Sequence, residues 1–105
     1  MIARLWSACA EPAKAPTYLE HFSRAVLPEL RKLEGFVSHT VLTRPAASQV
    51  EIVVITVWLS LSAIDAFANP DREAAVVAAE AAALLVNYDR RVRHFEVATS
   101  EGIFL

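Results

Sequence analysis

The chain has one cysteine, Cys9, and two glycines, Gly35 and Gly102, in 105 residues. A lone thiol excludes an intramolecular disulfide and a cysteine metal cluster, and it fits a reducing cytoplasm better than secretion. Two isolated glycines exclude a glycine-rich phosphate loop or a dinucleotide fingerprint, so flavin and nicotinamide lack their usual sequence support. Charge is sparse as well. Charged residues make up 21%, and the net charge of −2 with a pI near 5.9 gives no reason to expect nucleic acid or an anionic membrane as partner. The start, Met1 to Trp6, lacks the basic region, long apolar stretch and small-residue site of a signal peptide. The longest apolar tracts are cut by Glu51 and Ser60, and by Glu73, Glu80 and Asp89, too soon to span a bilayer. The three histidines, His21, His39 and His94, are widely separated, with no Cys, Asp or Glu at ligand spacing, so no metal is expected.

What is abundant is apolar material, at 55% of the residues. The run Glu51-Ile-Val-Val-Ile-Thr-Val-Trp58 is of strand length and apolar on both alternating faces, so it must be covered from both sides. The chain's own helices can cover one face. The cover expected for the other is a second copy of the chain, and a homodimer follows. The length fits one domain, 1–105.

Alternation predicts a first strand over Ile2 to Ala8, with Ile2, Arg4 and Trp6 on one face. Leu19, Phe22, Val26, Leu30 and Leu33 then recur at helical spacing, predicting an amphipathic helix from Ala15 to Leu33, with a kink or tightened turn at Pro28. Gly35 is placed to end it. Phe36 to Thr43 reads as a second strand, and Pro45 to Ser48 as a hairpin connection to the third. Ser60 and Ser62 are both credible helix caps, with Leu61, Ile64 and Phe67 inward. Asn69-Pro70-Asp71 breaks that helix, and the alanine-rich tract from Glu73 to Val86 is expected to restart it. Asn87 to Asp89 turns the chain into a last strand, Arg91 to Thr99. The order strand, helix, strand, strand, helix, strand predicts an α+β, ferredoxin-like fold: a four-stranded antiparallel sheet with both helices on one face. The apolar tail Gly102-Ile-Phe-Leu105 is left between docking on a partner and disorder.

Several landmarks coincide across nearly the whole chain: Leu33-Glu-Gly-Phe36, Val57-Trp58 before the serine-rich cap, Ile64-Asp-Ala-Phe67, and His94-Phe-Glu-Val97. Together they resemble the antibiotic biosynthesis monooxygenase family of the dimeric α+β barrel superfamily. The resemblance implies two ferredoxin-like subunits pressed together by their open sheet faces, with a small pocket between helices and sheet in each. It implies chemistry between cofactor-free oxygenation of aromatic polyketides and heme breakdown. Trp58 matches the family tryptophan at the end of the third strand, which lines the pocket of active members. Trp6 stands where heme-degrading members carry an asparagine, and this chain has no histidine between His39 and His94 to match their heme ligand.

Among candidate groups, His94 is the preferred general base, because Glu96 shares its strand face and Tyr88 or Arg4 can approach it. His39 is the second candidate. Arg4 and Trp6 share a face that points either at the helices, making a pocket wall and a charge for an enolate or phenolate oxygen, or at the partner subunit. With Trp58, Phe67 and His39 they complete the expected pocket. The resulting expectation is a cytoplasmic, cofactor-independent monooxygenase for a small aromatic or quinol-type substrate; the alternative is a non-catalytic dimeric module that binds a small hydrophobic ligand or serves as a stress-related accessory protein.

Overall fold

A computed structural model of the chain describes residues 1–102, so the expectation for the tail beyond Gly102 lies outside the described residues. Five strands form one antiparallel sheet: β1 (Ile2–Ala10), β2 (Phe36–Ala46), β3 (Gln49–Trp58), β4 (Asn87–Tyr88) and β5 (Arg93–Glu96). The order is β2-β3-β1, with β4 and β5 both paired to the far side of β1. This is the ferredoxin-like α+β arrangement, with its fourth position filled by two short strands rather than one. Residues 89–92 interrupt that position, where Val92 turns inward and is 5% exposed.

The register sets which residues meet. Ile2 pairs with Trp58, Arg4 with Thr56 and Trp6 with Val54, while Arg4 also pairs with His94 across β5. Period-two alternation therefore turns Arg4, Trp6, Val54, Thr56, Trp58 and His94 toward one face. The helices cover that face. Trp58, Ile52, Ile64 and Leu30 are its largest fully buried side chains. Leu5, Val53 and Ile55 alternate onto the other face and stay half-exposed, with Leu42 and Phe95 more open still.

The first helix runs as α1 (Ala15–His21), a wide π segment (Phe22–Val26) and α2 (Leu27–Arg31). Pro28 has no N–H to donate and its ring crowds the carbonyl four residues back. The chain responds by widening rather than tightening the preceding turn, and Leu27 N–H bonds to Phe22 O five residues earlier. The extra residue rotates the inward face after Phe22, so Leu27 and Leu30 are buried while Val26 is only half-buried; before it, Tyr18 and Phe22 are buried and Leu19 is half-buried. Gly35 follows at φ +89, and a Cβ there would stand 2.5 Å from Ala63 Cβ. That close approach, as well as the left-handed backbone, requires glycine.

α3 (Leu61–Ile64) begins at Ser60, whose Oγ accepts the Ala63 N–H at 3.2 Å. The expected helix over Glu73 to Val86 does not form. Only α4 (Ala79–Ala82) is α-helical, and residues 73–78 run beside the last strand: Ala74 bridges to Arg91, Ala75 N–H bonds to Arg90 O at 2.9 Å, and Val92 N–H bonds to Glu73 O at 2.8 Å. Alanine propensity is worth only tenths of a kcal/mol per residue, so tertiary hydrogen bonds outweigh it. Two carbonyls that such a helix needs, Arg72 O and Ala74 O, are instead taken by the Arg4 guanidinium. Among the described residues no helix is long and apolar enough to cross a membrane.

Candidate functional site

A cavity of about 70 Å³ lies between the helical layer and the sheet. Its floor is Arg4 and Trp6 of β1 with Thr56 of β3, its helix side is Tyr18 and Phe22, and Phe67 and the segment 76–78 close it. The walls are largely ring surface. Trp6 lies 6.1 Å from Tyr18 and 6.2 Å from Tyr88 between centroids, and its indole N–H donates to Asp89 O at 2.8 Å, which fixes the ring plane. Burial pushes the Tyr18 phenol up to about 12, so it stays protonated and able to donate at neutral pH.

Arg4 supplies the charge. It is 4% exposed, Nη1 donates to Arg72 O at 2.6 Å, and Nη2 donates to Ala74 O at 2.8 Å. Its guanidinium also sits 5.6 Å from the Phe67 ring centroid. No carboxylate pairs with it among the described residues. The nearby Asp65 is already held by Arg72, through Nε at 2.7 Å and Nη2 at 2.8 Å. Burial pushes Arg4 down to about 10, which leaves it charged at neutral pH.

His94 stands behind Arg4 rather than on the cavity surface. Its Nε2 lies 3.0 Å from Arg4 Nη1. Guanidinium only donates, so Nε2 accepts and the neutral ring carries its proton on Nδ1. Burial first, and then the charge of Arg4, hold His94 below the ordinary imidazole value.

Trp58 is likewise one layer back. It is fully buried, donates its indole N–H to Thr56 Oγ1 at 2.9 Å, and stacks on Phe67 at 6.0 Å with Phe36 edge-on at 5.3 Å. It thus props two residues that do line the cavity. His39 shares the inward face of β2 but packs against Phe22 at 5.6 Å and does not reach the cavity. Of the six residues singled out by sequence, Arg4, Trp6 and Phe67 line the cavity together, and His94 and Trp58 each touch one that does.

Sequence reasoning missed Tyr18, Thr56 and the segment 76–78 as wall residues. Tyr18 stands in α1 four residues before Phe22, on the same inward face, and that spacing was the signal that could have found it. Residues 76–78 were assigned to a helix that the chain does not make. No three His, Cys, Asp or Glu side chains converge among the described residues. No histidine lines the cavity, so its lining offers no imidazole ligand to a heme iron.

Comparison with known proteins places this geometry. No curated protein sequence matches the chain. Among solved structures, a candidate antibiotic biosynthesis monooxygenase from Bacillus cereus superposes with a TM-score of 0.69 at 18% identity, covering 100% of this chain and 98% of that one. The heme-degrader MhuD from Mycobacterium tuberculosis, with two hemes bound in its active site, gives 0.63 at 24% identity, covering 97% and 100%. SnoaB, a cofactor-independent oxygenase from Streptomyces nogalater, gives 0.55 at 19% identity, covering 94% and 95%. At these identities the likeness is one of fold. The sequence itself goes further, since the profile of one family matches residues 1–85, which span β1 to β3 with Arg4, Trp6, Tyr18, Phe22 and Phe67 and leave β4, β5 and His94 outside the match. The chain belongs to the antibiotic biosynthesis monooxygenase family.

Proposed function

We propose that this protein is a cofactor-independent monooxygenase acting on a small aromatic, quinol-type substrate inside the cavity between its helices and sheet. The observation that carries the reading is the cavity lining: Trp6, Tyr18, Phe22 and Phe67 offer ring faces to a flat substrate, around one buried cation, Arg4. SnoaB, of like fold, is a cofactor-independent oxygenase. An electron-rich phenol, once deprotonated, can itself reduce dioxygen. One oxygen atom then enters the ring and the other leaves as water, so a quinol yields a hydroxyquinone. Water-excluding walls protect the reactive anion.

Proton removal is assigned to His94. Its basic lone pair faces Arg4 Nη1, so it becomes available when that guanidinium turns a donor toward the substrate oxygen. The cavity of about 70 Å³ is smaller than the ~150 Å³ that admits benzene, so the substrate must displace part of the wall. The segment 76–78 is the part with no regular secondary structure to hold it.

The working unit in this reading is a cytoplasmic homodimer joined through the open sheet face of Leu5, Val53, Ile55 and Phe95, whose apolar side chains the monomer leaves half-exposed or exposed. Neither nucleic acid nor membrane has a part in it. The deciding experiment is oxygen uptake by metal- and heme-free protein given a quinol in excess. Multiple turnovers support the reading; saturable binding without oxygen uptake replaces it with a module that binds small hydrophobic ligands.

A further inference from the structure

Arg4 is a buried cation whose neighbours are all neutral or already neutralised. Two are backbone carbonyls, Arg72 O and Ala74 O; one is the neutral His94 ring; one is the face of Phe67. The charged groups packed around it do not compensate. Both Asp65 oxygens are held by Arg72, and Glu73 lies on the surface, 4.0 Å from Arg91. A guanidinium has five N–H donors. Two of the Nη donors go to carbonyls and a third faces His94, which leaves Nε–H and one Nη2–H without a partner among the described residues. Nε–H and an Nη2–H are the pair that, side by side, matches the two oxygens of a carboxylate or grips one oxyanion.

A buried charge without an ion partner is costly, and a counter-charge supplied in the same dry space removes that cost. Arg4 lines the cavity, so the empty space is where the counter-charge belongs. Resting on the reading of this cavity as the ligand site, we infer that the cavity selects an aromatic ring bearing an anionic oxygen, a carboxylate or an ionised phenol, seated on the free Nε/Nη2 edge of Arg4 with its ring among Trp6, Tyr18 and Phe67. The neutral form of the same molecule binds more weakly and tightens its hold only on losing its proton, because until then it leaves Arg4 unpaired. The Tyr18 hydroxyl, protonated at neutral pH, adds a donor on the helix side.

Two probes separate the sources of the anion, and both are used without dioxygen so that turnover plays no part. 4-Nitrophenol reports its own ionisation by colour. A purely apolar cavity raises the pKa of a bound phenol, whereas a cation at contact distance lowers it by about 1 unit or more. The expected result is a lowered value for 4-nitrophenol bound to the intact protein, abolished in Arg4→Met and kept in Arg4→Lys. Benzoate should bind at least about tenfold tighter than benzamide, the scale of one charge-assisted pair. Preference for benzoate with no effect on the phenol would assign the site to carboxylates, and the reverse to phenolates. Equal binding of benzoate and benzamide together with an unlowered phenol pKa, or no saturable binding of either probe, overturns the inference. The wild-type measurements decide the matter even if Arg4→Met fails to fold. Anion binding without oxygen uptake refutes the oxygenase reading alone; oxygen uptake with a neutral, unselected phenol refutes this one alone.

Discussion

His94 Nε2 lies 3.0 Å from Arg4 Nη1, so the proposed base and the cation of the candidate site are tied to each other before any substrate arrives. The pairing follows from the register, since Arg4 and His94 are direct partners across β1 and β5. It has consequences at both ends of the hydrogen bond.

The folded protein holds His94 below the ordinary imidazole value of ~6.5, so on acidification the unfolded chain takes up the proton first. Stability should therefore be lost as pH falls from about 6.5 toward the folded value. Replacing His94 by Gln, which retains an acceptor but does not titrate, should flatten that part of the profile. Urea midpoints across the acid range measure it, and identical profiles for both proteins would contradict the geometry.

In turnover, His94→Ala should lower quinol oxidation by roughly 100-fold, the usual scale for losing a general base. The acid limb of the activity profile should lie below the ordinary imidazole value, because burial and Arg4 keep His94 neutral there. Unchanged turnover in the variant would leave His94 as the group that orients Arg4, with proton loss occurring from the substrate unaided.

Trp58 has a structural cost that must be separated from any effect on binding. It is fully buried, and Trp→Ala in a core costs about 3–5 kcal/mol, a large share of a small domain's stability. Trp58→Ala should thus unfold much of the protein. Trp58→Phe should fold and keep the stack on Phe67, losing the bond to Thr56 Oγ1 at a cost of about 1 kcal/mol.

Ile55→Asp tests the dimer. Ile55 lies on the open face, so in a monomer the new charge is near water, whereas in a dimer joined through that face it is buried and unpaired at several kcal/mol. Light scattering should give twice the 11.5 kDa chain mass for the wild type and the single mass, or loss of soluble protein, for the variant. A wild-type monomer would refute the arrangement.

Gly35→Ala should destabilise by at least about 1 kcal/mol, because φ +89 is unfavourable for alanine and its Cβ would fall 2.5 Å from that of Ala63. Pairing it with Ala63→Gly should recover only the steric part, leaving the backbone part.

The sequence by itself determined the first three strands and their faces, whereas the last strand, expected whole from Arg91 to Thr99, is divided into β4 and β5. Alternation in β1 and β3 is a local property with period two, so which side of the sheet Arg4, Trp6, Thr56 and Trp58 share was readable once the strands were placed. The turn at Gly35 was legible for the same reason, resting on the chemistry of one residue, and the cap was narrowed to Ser60 or Ser62, between which the structure decides for Ser60. Residues 73–78 were not legible, because their local alanine preference is weak and is overridden by bonds to residues 90–92 and to Arg4, contacts that exist only after the chain has folded back. Leu27 took the inward position expected of Val26 through a π turn that shifts the helix face by one residue, which no fixed helical period anticipates. Whether Arg4 faced the helices or a partner also waited on the tertiary structure, since alternation separates two faces of a sheet but cannot say which of them the helices will cover.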